Sequence, residues 1–475
     1  MVFGLIYIVG GLIATCAAHP EVMNARLYLV GILVLVPPGT AGIKANISNF
    51  GADQYDVSDP AQAAAQETFF QWFYVSINCG AFLAFGSLTT LSTNGGLGVP
   101  KEFGYFAAYM IASLCMVFAV SLFFSVRSRY RIQEVDGQCS PLCDICQQVL
   151  TAARSGSSEA QALCLGVLLI TVAIMLSLMS ALFQNQVNKI SVAGLPGITF
   201  ACASLGVLAV VSSCESPSWL RDEQAPDGSL SASEVRSFLR LLPVIITSGL
   251  AFGAVYSCMS FSFQQQACQM DVRIPWSDGS HQFAGSFFAV ADCLGIAIAT
   301  PIAVGWLNPK LEQALGNRFD HSGKFGLGMV FGIMSVFLAA YVEIQRRASP
   351  VMSQVSHCAP PGIHMSELSA VYMLVPFFLM GIGEIYTIPV VMHLAYSKSP
   401  ASTRTMTAVA SLMMNAVSSS IFTVQTAALS QFVPDDLNQG RMEYGYYLSI
   451  VLALVLYAAF VRSIRLFRKE EQHEA

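Results

Sequence analysis

Residues 368–393 read LSAVYMLVPFFLMGIGEIYTIPVVMH, a stretch of 26 residues in which Glu384 is the only side chain charged at neutral pH. The hydrocarbon core of a bilayer is about 30 Å thick, and a helix that crosses it needs roughly 17–25 mostly apolar residues. This stretch therefore predicts a membrane-spanning helix that carries one carboxylate near its middle.

The rest of the chain has the same apolar character. Of its 475 residues 54% are hydrophobic and 11% are charged, whereas a soluble domain carries about 25% charged residues. The net charge of -5 and the pI near 5.8 give no basic surface for nucleic acid. These values exclude an ordinary soluble enzyme, a nucleic-acid-binding protein and a disordered chain, and they predict an all-α polytopic membrane protein embedded in lipid. Twelve apolar runs are predicted to span the membrane, at approximately 1–18, 27–45, 70–91, 105–125, 161–183, 195–213, 241–262, 284–306, 326–343, 368–393, 406–429 and 445–463.

The distribution of basic residues predicts the orientation. With the N-terminus inside, 16 of the 24 Lys and Arg residues fall in inner loops, seven fall in outer loops, and Lys44 lies near the end of a run. Cytoplasmic loops are enriched in Lys and Arg, so we expect both termini in the cytoplasm. Arg346 and Arg347, on the outer side, weigh against this orientation.

Three ionisable residues stand out inside the predicted spans: Lys44, Asp292 and Glu384. Such groups are costly in lipid and usually face a cavity or a partner. Lys44 ends its run, so from position alone it can also reach the interface as a snorkelling side chain. The alternative for Asp292 is a structural hydrogen bond to a neighbouring helix. A carboxylate that exchanges a lysine partner for a proton or a charged substrate is the minimum required for a proton-coupled carrier.

Neutral polar side chains add to this set. Asn78 and the run Gln264–Gln266 offer hydrogen bonds, although the Gln run lies at the end of its span and can equally be an interfacial cap. A lone His393 near a span end is more typical of an interfacial side chain than of a proton relay. Cys139, Cys143 and Cys146 cluster without a histidine, which favours free thiols over a metal site. We find no motif for an enzyme or a cofactor.

Several segments together resemble the proton-dependent oligopeptide transporter family, which includes the plant nitrate/peptide transporters. GTAGIKANISNFGADQYD (39–56) resembles the signature at the end of that family's fourth helix, and FFQWFYVSINCGAF (69–82) resembles its fifth-helix signature. SPLCDICQQVLTAAR (140–154) is similar to the central loop of the plant branch, and GIGEIY (381–386) to the tenth helix. LRLLPV (239–244), FSFQQQACQMD (261–271) and EIQRR (343–347) continue the resemblance in order.

The resemblance implies the major facilitator fold, in which two six-helix bundles alternate access to a central site. Such a carrier needs no cofactor, because the proton gradient drives it. Lys44 matches the family lysine that pairs with the tenth-helix Glu and binds the peptide carboxylate. Glu384 matches that Glu, which also receives the peptide amino group, and Asn78 matches a residue that contacts the peptide backbone. Asp292 falls where bacterial members of the family have a substrate-contacting Asn and plant members often have Asp. Gln266 of the Gln run and Tyr256 are further candidate substrate-binding residues.

The chain also departs from the family pattern. The first-helix motif E-x-x-E-R is not found, so the resemblance implies an incomplete N-terminal bundle that holds helices 3–6 and an N-terminally incomplete sequence. The runs 161–183 and 195–213 contain no charged residue and are predicted to form a peripheral hairpin inserted in the central loop. The predicted division is 1–126 for the partial N-terminal bundle, 127–240 for the central loop with its hairpin at 161–213, 241–463 for a complete C-terminal bundle of helices 7–12, and 464–475 for a cytoplasmic tail.

The predicted function is a proton-coupled symporter of small solutes, and di- and tripeptides are the favoured substrates. Nitrate-selective members are expected to use a seventh-helix His near the place held here by Tyr256, which favours peptides over nitrate. A non-transporting receptor or a degenerate fragment built on the carrier fold is the alternative. The resemblance does not decide between the plasma membrane and an internal membrane.

Overall fold

The computed structural model describes residues 2–56, 58–131, 141–183, 189–215, 217–220, 230–275 and 281–474. Within these ranges eleven helices are long and apolar enough to cross a membrane, and Val2–Ala17 is a shorter apolar helix. Each of the twelve predicted runs overlaps one of these helices, so the predicted all-α membrane class is confirmed.

The helices alternate with short connections. In chain order they are α1 (Val2–Ala17), α2 (Ala25–Ala52), α3 (Pro60–Asn94), α4 (Lys101–Ser125), α5 (Pro141–Arg154), α6 (Ser158–Phe183), α7 (Lys189–Cys214), α8 (Ala232–Cys268), α9 (Gly285–Leu315), α10 (His321–Ala348), α11 (Ala370–Lys398), α12 (Ala401–Ala428) and α13 (Glu443–Glu474). A short antiparallel hairpin of β1 (Val351–Val355) and β2 (His364–Ser366) precedes α11.

Four of the spanning helices contain a π-helical turn. These turns are Val30–Leu35 in α2, Ala84–Leu88 in α3, Cys258–Phe263 in α8 and Ala303–Leu307 in α9. A π turn inserts one residue into the helical ladder and often occurs at a functional site. Tyr256, a predicted site residue, lies two residues before the turn in α8.

Helices α6 and α7 form the predicted hairpin. Gly166 and Gly206 let the two backbones touch, since a Cβ on either glycine would lie 2.8 Å from the carbonyl oxygen of the other. Small residues allow this approach where lipid gives no hydrophobic drive for association. Buried residues of the hairpin pack with α8 and α12 in one apolar cluster. Other apolar side chains of the hairpin, such as Leu168 and Leu208, are exposed and suited to lipid.

The chain folds into two compact units, each of which is assembled from three separate stretches of sequence. Unit 1 contains residues 1–133, 264–300 and 349–381, and unit 2 contains 134–263, 301–348 and 382–475. Helices α8, α9 and α11 each contribute residues to both units. The predicted division of the chain at residues 126, 240 and 463 stays a prediction.

Contacts between loops in unit 1 join segments predicted to lie on the same side of the membrane. On the predicted inner side, the Gln54 side chain accepts from the backbone of Arg131 at 2.9 Å and donates to its carbonyl at 3.0 Å. On the predicted outer side, Asn94 donates to the carbonyl of Gln282 at 3.1 Å. The Gln282 amide in turn bonds the backbone of Val355 and His357.

Contacts in unit 2 also join segments that are predicted to lie on the same side of the membrane. Ion pairs join Arg240 to Glu470 at 3.3 Å and Arg462 to Glu215 at 3.0 Å, and all four residues are predicted to be inside. Arg347, predicted to be outside, pairs with Glu443 at 2.8 Å. These contacts agree with the predicted alternation of the loops. Which side is the cytoplasm stays a prediction.

A disulfide closes the predicted outer end of unit 1. Cys268 at the end of α8 bonds Cys358 in the loop between β1 and β2, across 90 residues of sequence. The Ser356 hydroxyl donates to the carbonyl of Cys268 at 2.5 Å and links the same two segments. Disulfides persist in oxidising compartments, so this bond agrees with the predicted orientation. No disulfide was predicted from the sequence.

We predict that reduction exposes two additional thiols in the denatured wild-type protein, counted by a thiol-reactive mass tag on a gel. Cys358→Ser should gain no tag on reduction, because Cys268 then has no disulfide partner. Cys143→Ser, which changes an exposed free cysteine, is the matched control and should still gain two. An equal count in wild type before and after reduction would contradict the disulfide.

Candidate substrate and proton site

Glu384 lies at an interruption in the middle of α11. The helix stops at Ile385 and resumes at Ile388, where Pro389 occupies the first turn of the second half. The carbonyls of Gly383 and Glu384 accept the backbone N–H groups of Tyr386 and Thr387, and the Thr387 hydroxyl donates to the same two carbonyls at 3.0 and 3.2 Å. Glu384 is 14 residues from each end of α11 and its residue is 1% exposed. A carboxylate buried at this depth marks a functional position.

Asp292 belongs to the first half of α9, where this helix crosses α11. Gly295 allows the approach, since a Cβ there would lie 2.5 Å from the carbonyl oxygen of Phe378. Gly381 allows it too, because a Cβ there would clash with the carbonyl and contact the carboxylate of Asp292. Asp292 is 5% exposed. The structure therefore places this acid at a tight helix crossing in unit 1.

Lys44 is deeper in its helix than the sequence indicated. The predicted run ended at residue 45, but α2 continues to Ala52. Lys44 is thus eight residues, about 12 Å, from the helix end. Gly39 and Gly42 pack on Phe3 of α1, and Lys44 projects about 200° around the helix from Gly42. Its side chain is exposed on the face turned away from α1.

Asn78 and Tyr256 lie on separate helices. Asn78 is 8% exposed in the middle of α3, and its amide donates to the carbonyl of Tyr74 at 3.0 Å, one turn earlier. This bond fixes the orientation of the amide. Tyr256 is half-buried on α8, and its ring lies 6.0 Å from that of Phe252.

The Gln run lies within the last five residues of α8. Gln265 is exposed, Gln264 is half-buried, and Gln266 is fully buried two residues before the disulfide cysteine Cys268. Gln266 therefore lies at the predicted outer end of its span, in the segment held by the disulfide. Its predicted contact with substrate stays a prediction.

A buried ion pair in the EIQRR segment was not predicted from the sequence. Glu343 and Arg346 are both fully buried and joined by two hydrogen bonds of 2.8 Å, and Arg346 also donates to Asn438 at 2.7 Å. Their spacing of three residues on a helix was the available signal. Because Arg346 is neutralised inside the protein, it carries little weight as an outer-loop charge in the orientation count.

His393 is not a lone histidine. Its Nδ1 lies 3.1 Å from Nε2 of His321, and the two rings stack with centroids 5.2 Å apart. A partner 72 residues away cannot be identified from spacing along one helix. Tyr386 was also missed: it is 2% exposed, and its hydroxyl makes no hydrogen bond within the described ranges.

The predicted site residues belong to both units. Lys44, Asn78, Gln266 and Asp292 are in unit 1, whereas Tyr256 and Glu384 are in unit 2. The facing of Lys44 and Glu384 across a cavity stays a prediction. Within the described ranges, no three His, Cys, Asp or Glu side chains gather as metal ligands. Cys143 and Cys146 are exposed on α5, and Cys139 lies outside the described residues.

Comparison with known sequences decides the family. A sequence model described as PTR2, the POT family, matches residues 1–439. This chain belongs to the POT family. It is a multi-pass membrane transporter and not an enzyme, as the sequence predicted.

Relatives and solved structures agree with this assignment. Protein NRT1/PTR FAMILY 8.3 of Arabidopsis thaliana is 27% identical over 465 residues, covering 93% of this chain and 72% of the relative. NRT1/PTR FAMILY 6.3 of the same plant is 25% identical over 469 residues, covering 94% and 72%.

Among solved structures, the POT family transporter PepTSo matches with a TM-score of 0.67 and 20% identity, over 98% of this chain and 83% of that one. A POT family transporter in complex with 5-aminolevulinic acid matches with a TM-score of 0.57 and 16% identity, over 97% and 80%. These matches show the fold, and the expected major facilitator fold is confirmed.

We predict that Gly381→Ala lowers the melting temperature and reduces transport, because the added methyl group meets the backbone of Asp292. Overpacking of this kind costs about 1–3 kcal/mol. Gly80→Ala on α3 is the matched control, since a Cβ there meets nothing within 4 Å. The melting temperatures of both variants are measured by thermal unfolding of the detergent-solubilised protein. Equal melting temperatures for Gly381→Ala and wild type would show that α9 and α11 are not in close contact at this point.

Proposed function

We propose that this chain is a proton-coupled symporter that carries di- and tripeptides by alternating access. The observation that carries the proposal is Glu384, a fully buried carboxylate at the midpoint of a broken spanning helix in a POT family protein. Discontinuous helices place unpaired helix ends and ionisable groups at the membrane midplane, where transporters bind substrate and coupling ions.

In the proposed cycle, Glu384 carries the proton. When ionised, it forms a salt bridge with Lys44 as the two helices approach. Protonation removes the negative charge, weakens the pair and frees Lys44 for the carboxylate of the peptide. The amino end of the peptide then interacts with Glu384 once the proton has left. The exposed ammonium of Lys44, about 12 Å from the end of α2, supports this role.

The choice of peptides rests on charge. A peptide offers one amine and one carboxylate, which match an anionic and a cationic residue. Tyr256 has no imidazole with which to bind an anion such as nitrate, so the proposal favours peptides. Neighbouring solved structures include a POT family transporter bound to a thioalcohol-conjugated peptide. The names of the Arabidopsis relatives include both NRT1 and PTR, so nitrate is the competing substrate.

We predict that Lys44→Ala and Glu384→Gln each reduce proton-driven uptake of a dipeptide by about tenfold or more, equivalent to ~1.4 kcal/mol of lost interaction. Lys44→Arg should rescue only in part, because a guanidinium fork differs in shape from an ammonium. The assay is uptake into liposomes that contain the full chain, with the outside more acidic than the inside.

Lys101→Ala is the control, since this lysine is exposed at the start of α4. Uptake at the wild-type rate in Lys44→Ala would show that Lys44 only snorkels. Dipeptide binding by wild type without driven uptake would support the receptor alternative. Driven uptake of nitrate that a dipeptide does not inhibit would replace the proposed substrate.

A further inference from the structure

The paired histidines of unit 2 join α10 to α11 at the predicted inner ends of both helices. His321 is the first residue of α10, and His393 lies in the second half of α11. Both are half-buried, their nitrogens are 3.1 Å apart, and their rings are inclined by 24°. A hydrogen bond between two imidazoles requires one N–H and one lone pair, so the contact depends on how many protons the pair holds.

The same two helices meet closely beside Glu384. A Cβ on Gly328 would lie 2.7 Å from the carbonyl oxygen of Gly383 and 2.5 Å from the methyl carbon of Thr387. His321 is seven residues before Gly328, and His393 is nine residues after Glu384. At 1.5 Å per residue the pair therefore lies about 10–14 Å from this crossing, towards the predicted inner side.

Charged groups on the surrounding elements are engaged with each other. Asp320, next to His321, accepts from the Ser322 backbone at 2.9 Å and pairs with Arg468 of α13. Lys324, one turn into α10, pairs with Glu312 at 3.1 Å. Arg404 of α12 lies 4.0 Å above the ring of Tyr396. The other titratable groups at the inner ends of the packed helices are Glu234, Arg236 and Arg240 of α8, Lys398 of α11, and Arg462, Arg465, Lys469 and Glu470 of α13.

Two facing imidazoles accept a first added proton more readily than a second. With no added proton, one ring donates to the other. One proton gives an N–H⁺···N bond, which is charge-assisted and stronger. A second proton places an N–H on both facing nitrogens and two like charges in contact, so the bond is lost. The pair thus holds one proton readily and a second poorly, near the pH range in which histidine ordinarily titrates.

We propose that His321 and His393 form a proton-holding pair that receives the proton released by Glu384 and delivers it to the inner solution. The inference rests on the proposed proton coupling. The O–H bond of the Glu384 carboxylic acid breaks to leave a carboxylate, the proton passes through water, and an N–H bond forms on the pair. Inner water then takes the proton, which restores the neutral pair.

The test compares His321→Gln, His393→Gln and the double variant with wild type in liposomes. Glutamine keeps a donor and an acceptor but does not titrate in this range. Proton-driven dipeptide uptake is measured as internal pH varies from about 5.5 to 8, the range around the ordinary histidine pKa. Dipeptide counterflow at equal pH is measured alongside, because exchange requires no net proton delivery. His364→Gln, at an exposed position of β2, is the control.

We expect the pair variants to lose about tenfold or more of driven uptake, as for removal of a proton-transfer group, and to lose the dependence on internal pH. The counterflow rate should stay within about twofold of wild type. The melting temperature should stay within a few degrees of wild type. Equal losses of driven uptake and counterflow with an unchanged pH profile would show a structural contact only and overturn the inference. Wild-type behaviour in the double variant would overturn it too. No driven uptake in wild type would instead reject the proposed function, and the inference with it.

Discussion

The cost of burying a carboxylate in an apolar bundle is the constraint around which this structure is arranged. An ionisable group at the bilayer centre costs at least about 2.5 kcal/mol on insertion scales. Glu384 is at that depth, and α11 is broken immediately after it. The backbone at the break remains hydrogen-bonded, because the carbonyls of Gly383 and Glu384 accept backbone N–H groups of the turn as well as the Thr387 hydroxyl. The charged side chain and the turn in the backbone thus lie at the same depth in α11.

Glycine residues allow the helices around Glu384 and Asp292 to cross closely. Close crossings of α9 with α11 and of α10 with α11 depend on Gly295, Gly381, Gly328 and Gly383. In lipid the helices gain little by hiding apolar surface from each other, so close packing must supply the attraction. Gly381, three residues before Glu384, is also the point at which α11 meets Asp292. The glycines of the GIGEIY segment are therefore part of the site, although they carry no functional group.

The sequence predicted what depends on composition and local order. All twelve apolar runs became helices, and the mid-span depth of Glu384 followed from the apolar residues on either side of it. Lys44 was placed too near a helix end, because the apolar run stops at residue 45 whereas α2 continues through the polar residues Asn46, Ser48 and Asn49 to Ala52. Pairings between distant segments could not be predicted, as with Cys268 and Cys358 or His321 and His393. The pairing of Glu343 with Arg346 was also missed, although its spacing of three residues along one helix was an available signal.

The predicted outer loops of unit 1 are held by bonds that tolerate acid. The disulfide does not titrate, and the Asp271 carboxylate is stabilised by hydrogen bonds from Arg273, which hold its pKa below the usual value. A carboxyl with a lowered pKa keeps its stabilising contact at any pH above that range and loses it only as the pH falls through the lowered pKa. At the mildly acidic pH that drives a proton symporter, Asp271 therefore stays ionised. In the proposed relay, by contrast, the histidine contact between α10 and α11 takes up and releases a proton. The Cys268–Cys358 disulfide and the Asp271–Arg273 hydrogen bonds of unit 1 therefore persist over the pH range of the proposed proton cycle.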